Sequence, residues 1–96
     1  MNYLGLDIHS AHFSLAHMKA NGRLCRLYDR STSAKELIHV VSAIRGPKIL
    51  AVEECHLAQW VKQTLEPYVD QLVICNPKHN KWIAGDTYAG SAQVNG

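Results

Sequence analysis

Asn2-Tyr3-Leu4-Gly5-Leu6-Asp7-Ile8-His9 alternates in a strict period of two. Leu4, Leu6 and Ile8 fall on one side of an extended chain, and Tyr3, Gly5, Asp7 and His9 on the other. That pattern predicts a strand with one face in a core, and it stands Asp7 opposite an apolar stripe. A second run, His12 to Met18, and a third, Arg23 to Tyr28, flank Asn21-Gly22, a pair that favours a two-residue type I′ turn. The chain is therefore expected to open with a three-strand antiparallel meander.

Ser33 and Glu36 have the spacing of a capping box, and Leu37, Ile38, Val40, Val41 and Ile44 follow with helical period until Gly46-Pro47 stops them. Lys48 to Glu53 contains the apolar run Ile49-Leu50-Ala51-Val52 and ends in two carboxylates, which suits a buried strand whose C-terminal end reaches a polar site. Leu57, Trp60, Val61, Thr64 and Leu65 mark a second helix, ended by Pro67, with Trp60 a core residue by its spacing. Gln71 to Cys75 reads as a fifth strand closed by Asn76-Pro77. The expected order is β-β-β-α-β-α-β, an α/β layer with a mixed sheet. From Lys78 onward Trp82 and Tyr88 are aromatic anchors without a clear period, and residues 90–96 are small and polar, as in a frayed end.

The size, 96 residues with 47% hydrophobic and 19% charged, suits one small core. No long apolar run and no basic segment leading into an apolar stretch is readable, so neither a membrane span nor a secretory signal is expected, and the default compartment is the cytoplasm. Cys25, Cys55 and Cys75 are an odd number without C-x-x-C spacing, which argues for reduced structural thiols over a disulfide framework or a four-cysteine zinc site. Charge is uneven. Residues 1–48 carry seven Lys/Arg against three Asp/Glu, and residues 49–96 three against five, which yields the net +2. Arg23, Arg26 and Arg30 supply most of the local excess; a groove for a phosphate backbone would use them, and so would a solvated strand edge. Lys78 and Lys81, after the fifth strand, could touch a phosphate backbone or belong to a solvated turn.

Asp7 and Glu53 belong to different strands of one expected sheet. If those strands are neighbours, the two carboxylates can converge, and anions at short distance persist only when paired with cations. Mg²⁺ prefers oxygen ligands and retains waters, and two such ions about 4 Å apart can serve both the attacking and the leaving oxygen in phosphodiester chemistry. Strand-end acids that are merely solvated would have the same spacing. Alternation puts Glu53 and Glu54 on opposite faces, and the residues alone do not say which shares a face with Asp7. His9, His12 and His17 scatter over both faces of the first hairpin, which speaks against a zinc site. Cys55-His56 are adjacent and point apart, which suits cap or core roles better than a nucleophile and its base.

Taken in order, Tyr3-Leu4-Gly5-Leu6-Asp7-Ile8, the Asn21-Gly22 hairpin, the helix after Ser33, Ala51-Val52-Glu53-Glu54, Leu57 to Leu65 and Val73-Ile74-Cys75-Asn76-Pro77 resemble the N-terminal domain of insertion-sequence-110-type transposases, relatives of the Piv and MooV invertases. The resemblance runs from about residue 2 to residue 88. It implies a ribonuclease-H-like (RuvC-like) fold and a D-E-D-D set of acids holding Mg²⁺. The implied function is DNA transposition or site-specific inversion, with DNA and a structured guide RNA of the parent element as partners and possible homo-oligomers. By position Asp7 would be the first carboxylate and Glu53 the second, with Glu54 the alternative.

The family's next motif, Lys-x-Asp-x-x-Asp-Ala, is expected soon after Tyr88-Ala89, where this chain reads Gly90-Ser91-Ala92-Gln93-Val94-Asn95-Gly96; Asp86 stands too early to replace it. Residues 1–88 are thus expected to form a RuvC-like domain incomplete at its C-terminus, and 89–96 a divergent, disordered tail. Two carboxylates hold Mg²⁺ weakly where four would hold it firmly, so these residues alone are expected not to catalyse recombination. One alternative is a non-catalytic nucleic-acid-binding remnant using Arg23, Arg26, Arg30, Lys78 and Lys81. Another is a fragment of a sugar kinase or actin-like ATPase, but Ile8-His9-Ser10-Ala11-His12 is bulkier than the small turn that backbone-to-phosphate contacts require.

Overall fold

A computed structural model describes residues 1–76, which form β1 (Asn2–Ile8), β2 (His12–Lys19), β3 (Leu24–Ser31), α1 (Ala34–Ala43), β4 (Lys48–Glu53), α2 (Ala58–Leu65), a single 3-10 turn (Glu66–Tyr68) and β5 (Gln71–Cys75). The strands make one mixed sheet in the order β3-β2-β1-β4-β5, antiparallel from β3 to β1 and parallel from β1 to β5. The alternating stretch quoted above is its central strand. Leu4, Leu6 and Ile8 meet Phe13 and Leu15 of β2 and Leu50 and Val52 of β4 on one face, and Leu37, Val40, Val41 and Ile44 of the first helical segment with Val61 and Leu65 of α2 close over them. All the sheet residues of this core share a face, so both helices lie on that side. Trp60 is partly buried against it.

Local chemistry sets the boundaries. The Ser33 hydroxyl caps α1 by accepting from the Glu36 N–H at 3.1 Å, one half of the expected capping box. The Glu36 carboxylate turns instead toward Arg30, with 3.9 Å between Nε and Oε1. At its other end α1 stops where Ile44 goes extended and Gly46 takes φ 90°, a left-handed conformation that glycine adopts without strain. α2 ends at Leu65, two residues before Pro67, and the chain passes through the proline in the 3-10 turn.

Two expectations about the meander change. The loop after β2 has three residues, not two: Gly22 N–H donates to Lys19 O at 2.9 Å and Lys19 N–H to Arg23 O at 3.0 Å, with φ 84° at Gly22. The extra residue is taken up farther along by a bulge, where His17 pairs with Arg26 and Met18 with Leu24, leaving Cys25 unpaired. The third strand also runs on to Ser31, because Thr32 ties back to the first turn through its N–H to Ala11 O (3.1 Å) and its hydroxyl to His9 O (2.7 Å).

One polar residue lies inside. Asn2 is only 4% exposed, and both ends of its amide are used. Nδ2 donates to the carbonyl oxygens of Arg45 (2.8 Å) and Pro47 (3.0 Å), while Oδ1 accepts from Lys19 Nζ (2.9 Å) and pairs with His17 Nε2 (2.8 Å). Since Oδ1 can only accept, the neutral His17 ring carries its proton on Nε2. Burial, and then the neighbouring Lys19 ammonium, hold the His17 pKa below its ordinary 6.5.

Asn2→Ala is expected to lower the unfolding free energy by about 2 kcal/mol, because it removes several bonds worth about 1 kcal/mol each; a urea midpoint equal to wild type would strip Asn2 of this role. His17 adds a pH dependence. The folded chain prefers the neutral ring, so the unfolded chain takes up its proton first, and stability is full above the ordinary value of 6.5 and falls as pH drops through it toward the folded value. Denaturation across that range should show this decline, and His17→Gln should flatten it.

Candidate functional site

Strand pairing carries the alternation of β1 across the sheet. On the face away from the helices it lines up three rows: Leu24, Met18, Tyr3, Ile49 and Gln71; then Leu27, Ala16, Gly5, Ala51 and Val73; then Asp29, Ser14, Asp7, Glu53 and Cys75. Asp7 pairs with Ser14 on one side; on the other, one step beyond the Leu6–Val52 pair, it comes level with Glu53. Strands lie about 4.8 Å apart, so two carboxylates at adjacent positions on one face can reach a common ion. Glu54 follows the last residue of β4, its N–H donating to Cys75 O at 2.8 Å, and alternation turns its side chain from the open face.

Asp7 and Glu53 line a cleft of about 320 Å³ at the end of β1 and β4, together with His9, Ser10, Cys55 and His56. The Asp7 side chain is 76% exposed, with His9 Nε2 at 3.3 Å from Oδ1, and the His9 ring leans on His12 at a centroid distance of 5.3 Å. His17 is apart from this pair, on the helix side of the sheet with Asn2. Among the described residues no three His, Cys, Asp or Glu side chains are grouped closely enough to hold a metal ion. Two exposed carboxylates suit a hard cation that keeps most of its waters, and would bind it weakly.

The arginines are elsewhere. Arg26 and Arg30 stand on the helix-bearing side of the edge strand β3, their guanidinium carbons 4.8 and 5.9 Å from the Tyr28 ring centroid. Arg30 also donates to Asp29 O at 3.0 Å. Arg23 sits at the hairpin, where its N–H bonds to Asn21 Oδ1 at 2.9 Å. None of the three lines the carboxylate cleft. Lys78, Lys81, Trp82, Asp86, Tyr88 and the expected tail 89–96 lie outside the described residues.

Asp29, Ser14 and Cys75 escaped the sequence reading although they share the row of Asp7 and Glu53. Asp29 accepts from the Ser14 hydroxyl at 2.5 Å, so its carboxylate is committed locally. The alternation within β3 and β5 was readable, but the register that brings these residues level was not. Cys75, next to Glu53 in the row, has its thiol pKa raised by burial and then by the Glu53 carboxylate. No family model and no curated protein matches the chain.

A raised pKa leaves less thiolate, so at pH 8 Cys75 should react with iodoacetamide more slowly than the exposed Cys25 and Cys55. Glu53→Gln should speed Cys75 alone. Equal rates before and after that change would mean that Glu53 does not face Cys75.

Proposed function

We propose that this chain is the N-terminal, RuvC-like part of an insertion-sequence-110-type DNA transposase or site-specific recombinase, in which Asp7 and Glu53 hold Mg²⁺ for DNA strand cleavage and exchange. The observation that carries this reading is the level placement of Asp7 and Glu53 on neighbouring parallel strands, facing one cleft. The mixed sheet and the element order are compatible with a ribonuclease-H-like domain. DNA, a guide RNA of the parent element and a cytoplasmic location belong to the same proposal; among the described residues no helix is long and apolar enough to cross a membrane.

In this reading the chain's own residues position and neutralise. Asp7 is held by its pairing with Ser14 on β2 and Glu53 by its pairing with Cys75 on β5, so neither backbone has to reorganise to receive an ion. His9, beside Asp7, is a donor that can hold the carboxylate while no cation does. Bound Mg²⁺ would polarise a phosphodiester oxygen and stabilise developing charge.

A Mn²⁺ titration followed by NMR should broaden amide signals around Asp7 and Glu53 saturably, at millimolar concentrations as expected for few ligands, and Asp7→Asn should abolish the effect. A folded chain whose signals there stay unchanged would sink the proposal.

A second reading, a nucleic-acid-binding surface without catalysis, is favoured by the arginines around Tyr28 on an exposed strand edge. Binding to a DNA duplex should then weaken with salt, and Arg26→Ala with Arg30→Ala should reduce the slope of log K against log salt by about two. No binding at low salt, or an unchanged slope, would dismiss it.

A further inference from the structure

We infer that His9 is a nitrogen ligand of the cleft at Asp7, and that it gives the cleft a preference for a zinc-type cation over Mg²⁺. The inference rests on the reading of Asp7 as a cation ligand and adds the donor that decides which cation binds best. Besides the two carboxylate residues, the cleft is lined by His9, His56 and Cys55. An Mg²⁺ site is built from oxygens, whereas imidazole and thiolate draw borderline and softer first-row ions. Nitrogen and sulfur donors beside the carboxylates therefore favour a different ion.

The spacing of His9 and Asp7 discriminates between the two cations. Nε2 and Oδ1 lie 3.3 Å apart. Two ligands of a tetrahedral Zn²⁺, with bonds of about 2.0–2.2 Å, stand about 3.4 Å from each other. Adjacent ligands of an octahedral Mg²⁺, with bonds of about 2.0–2.1 Å, stand about 2.9 Å apart. The observed spacing is the tetrahedral edge, so Zn²⁺ fits between the two groups where they stand. The ring binds as a neutral imidazole through Nε2, with its proton on Nδ1.

The turn between β1 and β2 holds His9 in place. Its N–H donates to His12 O at 2.9 Å, its carbonyl accepts from the Thr32 hydroxyl at 2.7 Å, and its ring leans on His12 with centroids 5.3 Å apart. These contacts fix the backbone and restrain the ring, so little freedom is lost on binding. No third His, Cys, Asp or Glu among the described residues is close enough to join, so water fills the remaining positions. The site is accordingly weak, and because Zn²⁺ and Mg²⁺ share Asp7, they compete for it. Sequence spacing spoke against zinc on His9, His12 and His17; the fold keeps His17 away with Asn2 and pairs His9 with a carboxylate instead.

Zn²⁺ titrated into the full 96-residue chain and followed by the imidazole nitrogen NMR signals tests the inference. The His9 Nε2 signal should shift saturably, at Zn²⁺ concentrations at least about tenfold below the Mg²⁺ concentrations that move the Asp7 amide. His9→Ala should weaken Zn²⁺ binding about tenfold or more and leave Mg²⁺ binding within about twofold, since the ring is a ligand to zinc alone. The His9 side chain is 59% exposed, so this variant should keep the wild-type urea midpoint; the ring signals of the unaltered chain test the inference without it. A His9 ring unmoved by Zn²⁺, equal affinities for the two cations, or wild-type Zn²⁺ affinity in His9→Ala would overturn it. Mn²⁺ separates this failure from that of the carboxylate reading. If Mn²⁺ still broadens the amides of Asp7 and Glu53 while Zn²⁺ leaves His9 unmoved, only this inference falls; if neither ion acts there, both fall.

Discussion

Hydrogen bonds along both edges of β1 lock its two faces in place, and the rest of the structure follows from that. A slip of one residue against β2 or β4 would turn Leu4, Leu6 and Ile8 to water, at about 1.5–3 kcal/mol for each side chain, and would drive Asp7 into the core without a partner. The core therefore enforces the register, and the register brings Asp7 level with Glu53. Packing on one face and carboxylate placement on the other are a single constraint.

Asn2 reinforces that constraint at the far end of the strand. Its amide ties β1 to the carbonyls of Arg45 and Pro47 in the connection before β4, and to His17 and Lys19 on β2. Both neighbours of β1 are thus joined through one side chain, five residues along the same strand from Asp7. The left-handed Gly46 brings the connection close enough: a Cβ there would come within 3.5 Å of Asn2 Nδ2.

The sheet also keeps its charges apart. Acidic groups collect at one end of the open face, whereas Arg26 and Arg30 flank Tyr28 on the opposite side at the outer edge of β3. A nucleic acid touching both sets would have to cross that edge. The carboxylate pair and the arginines consequently support separate readings, and the pair, being the convergent feature, carries the stronger one.

Much was legible before folding because it rests on local physics. The period of two in residues 2–9, the Ser33–Glu36 cap, the apolar run before Glu53 and the breaks at Gly46-Pro47 and Pro67 each depend on neighbours a few residues away, and each marks an element found in the structure. The three-residue hairpin loop and the bulge at Cys25 were not legible, since the same Asn-Gly pair serves either loop and the pairing of β2 with β3 decides between them. By itself, then, the sequence determined which residues alternate and, the β2–β3 loop and the end of β3 apart, about where the elements start and stop. Only the tertiary structure decided that Glu53, not Glu54, shares a face with Asp7, that Asp29 and Cys75 join their row, and that Asn2 is buried. Those relations are set by hydrogen-bond register between strands tens of residues apart, and no local pattern encodes it.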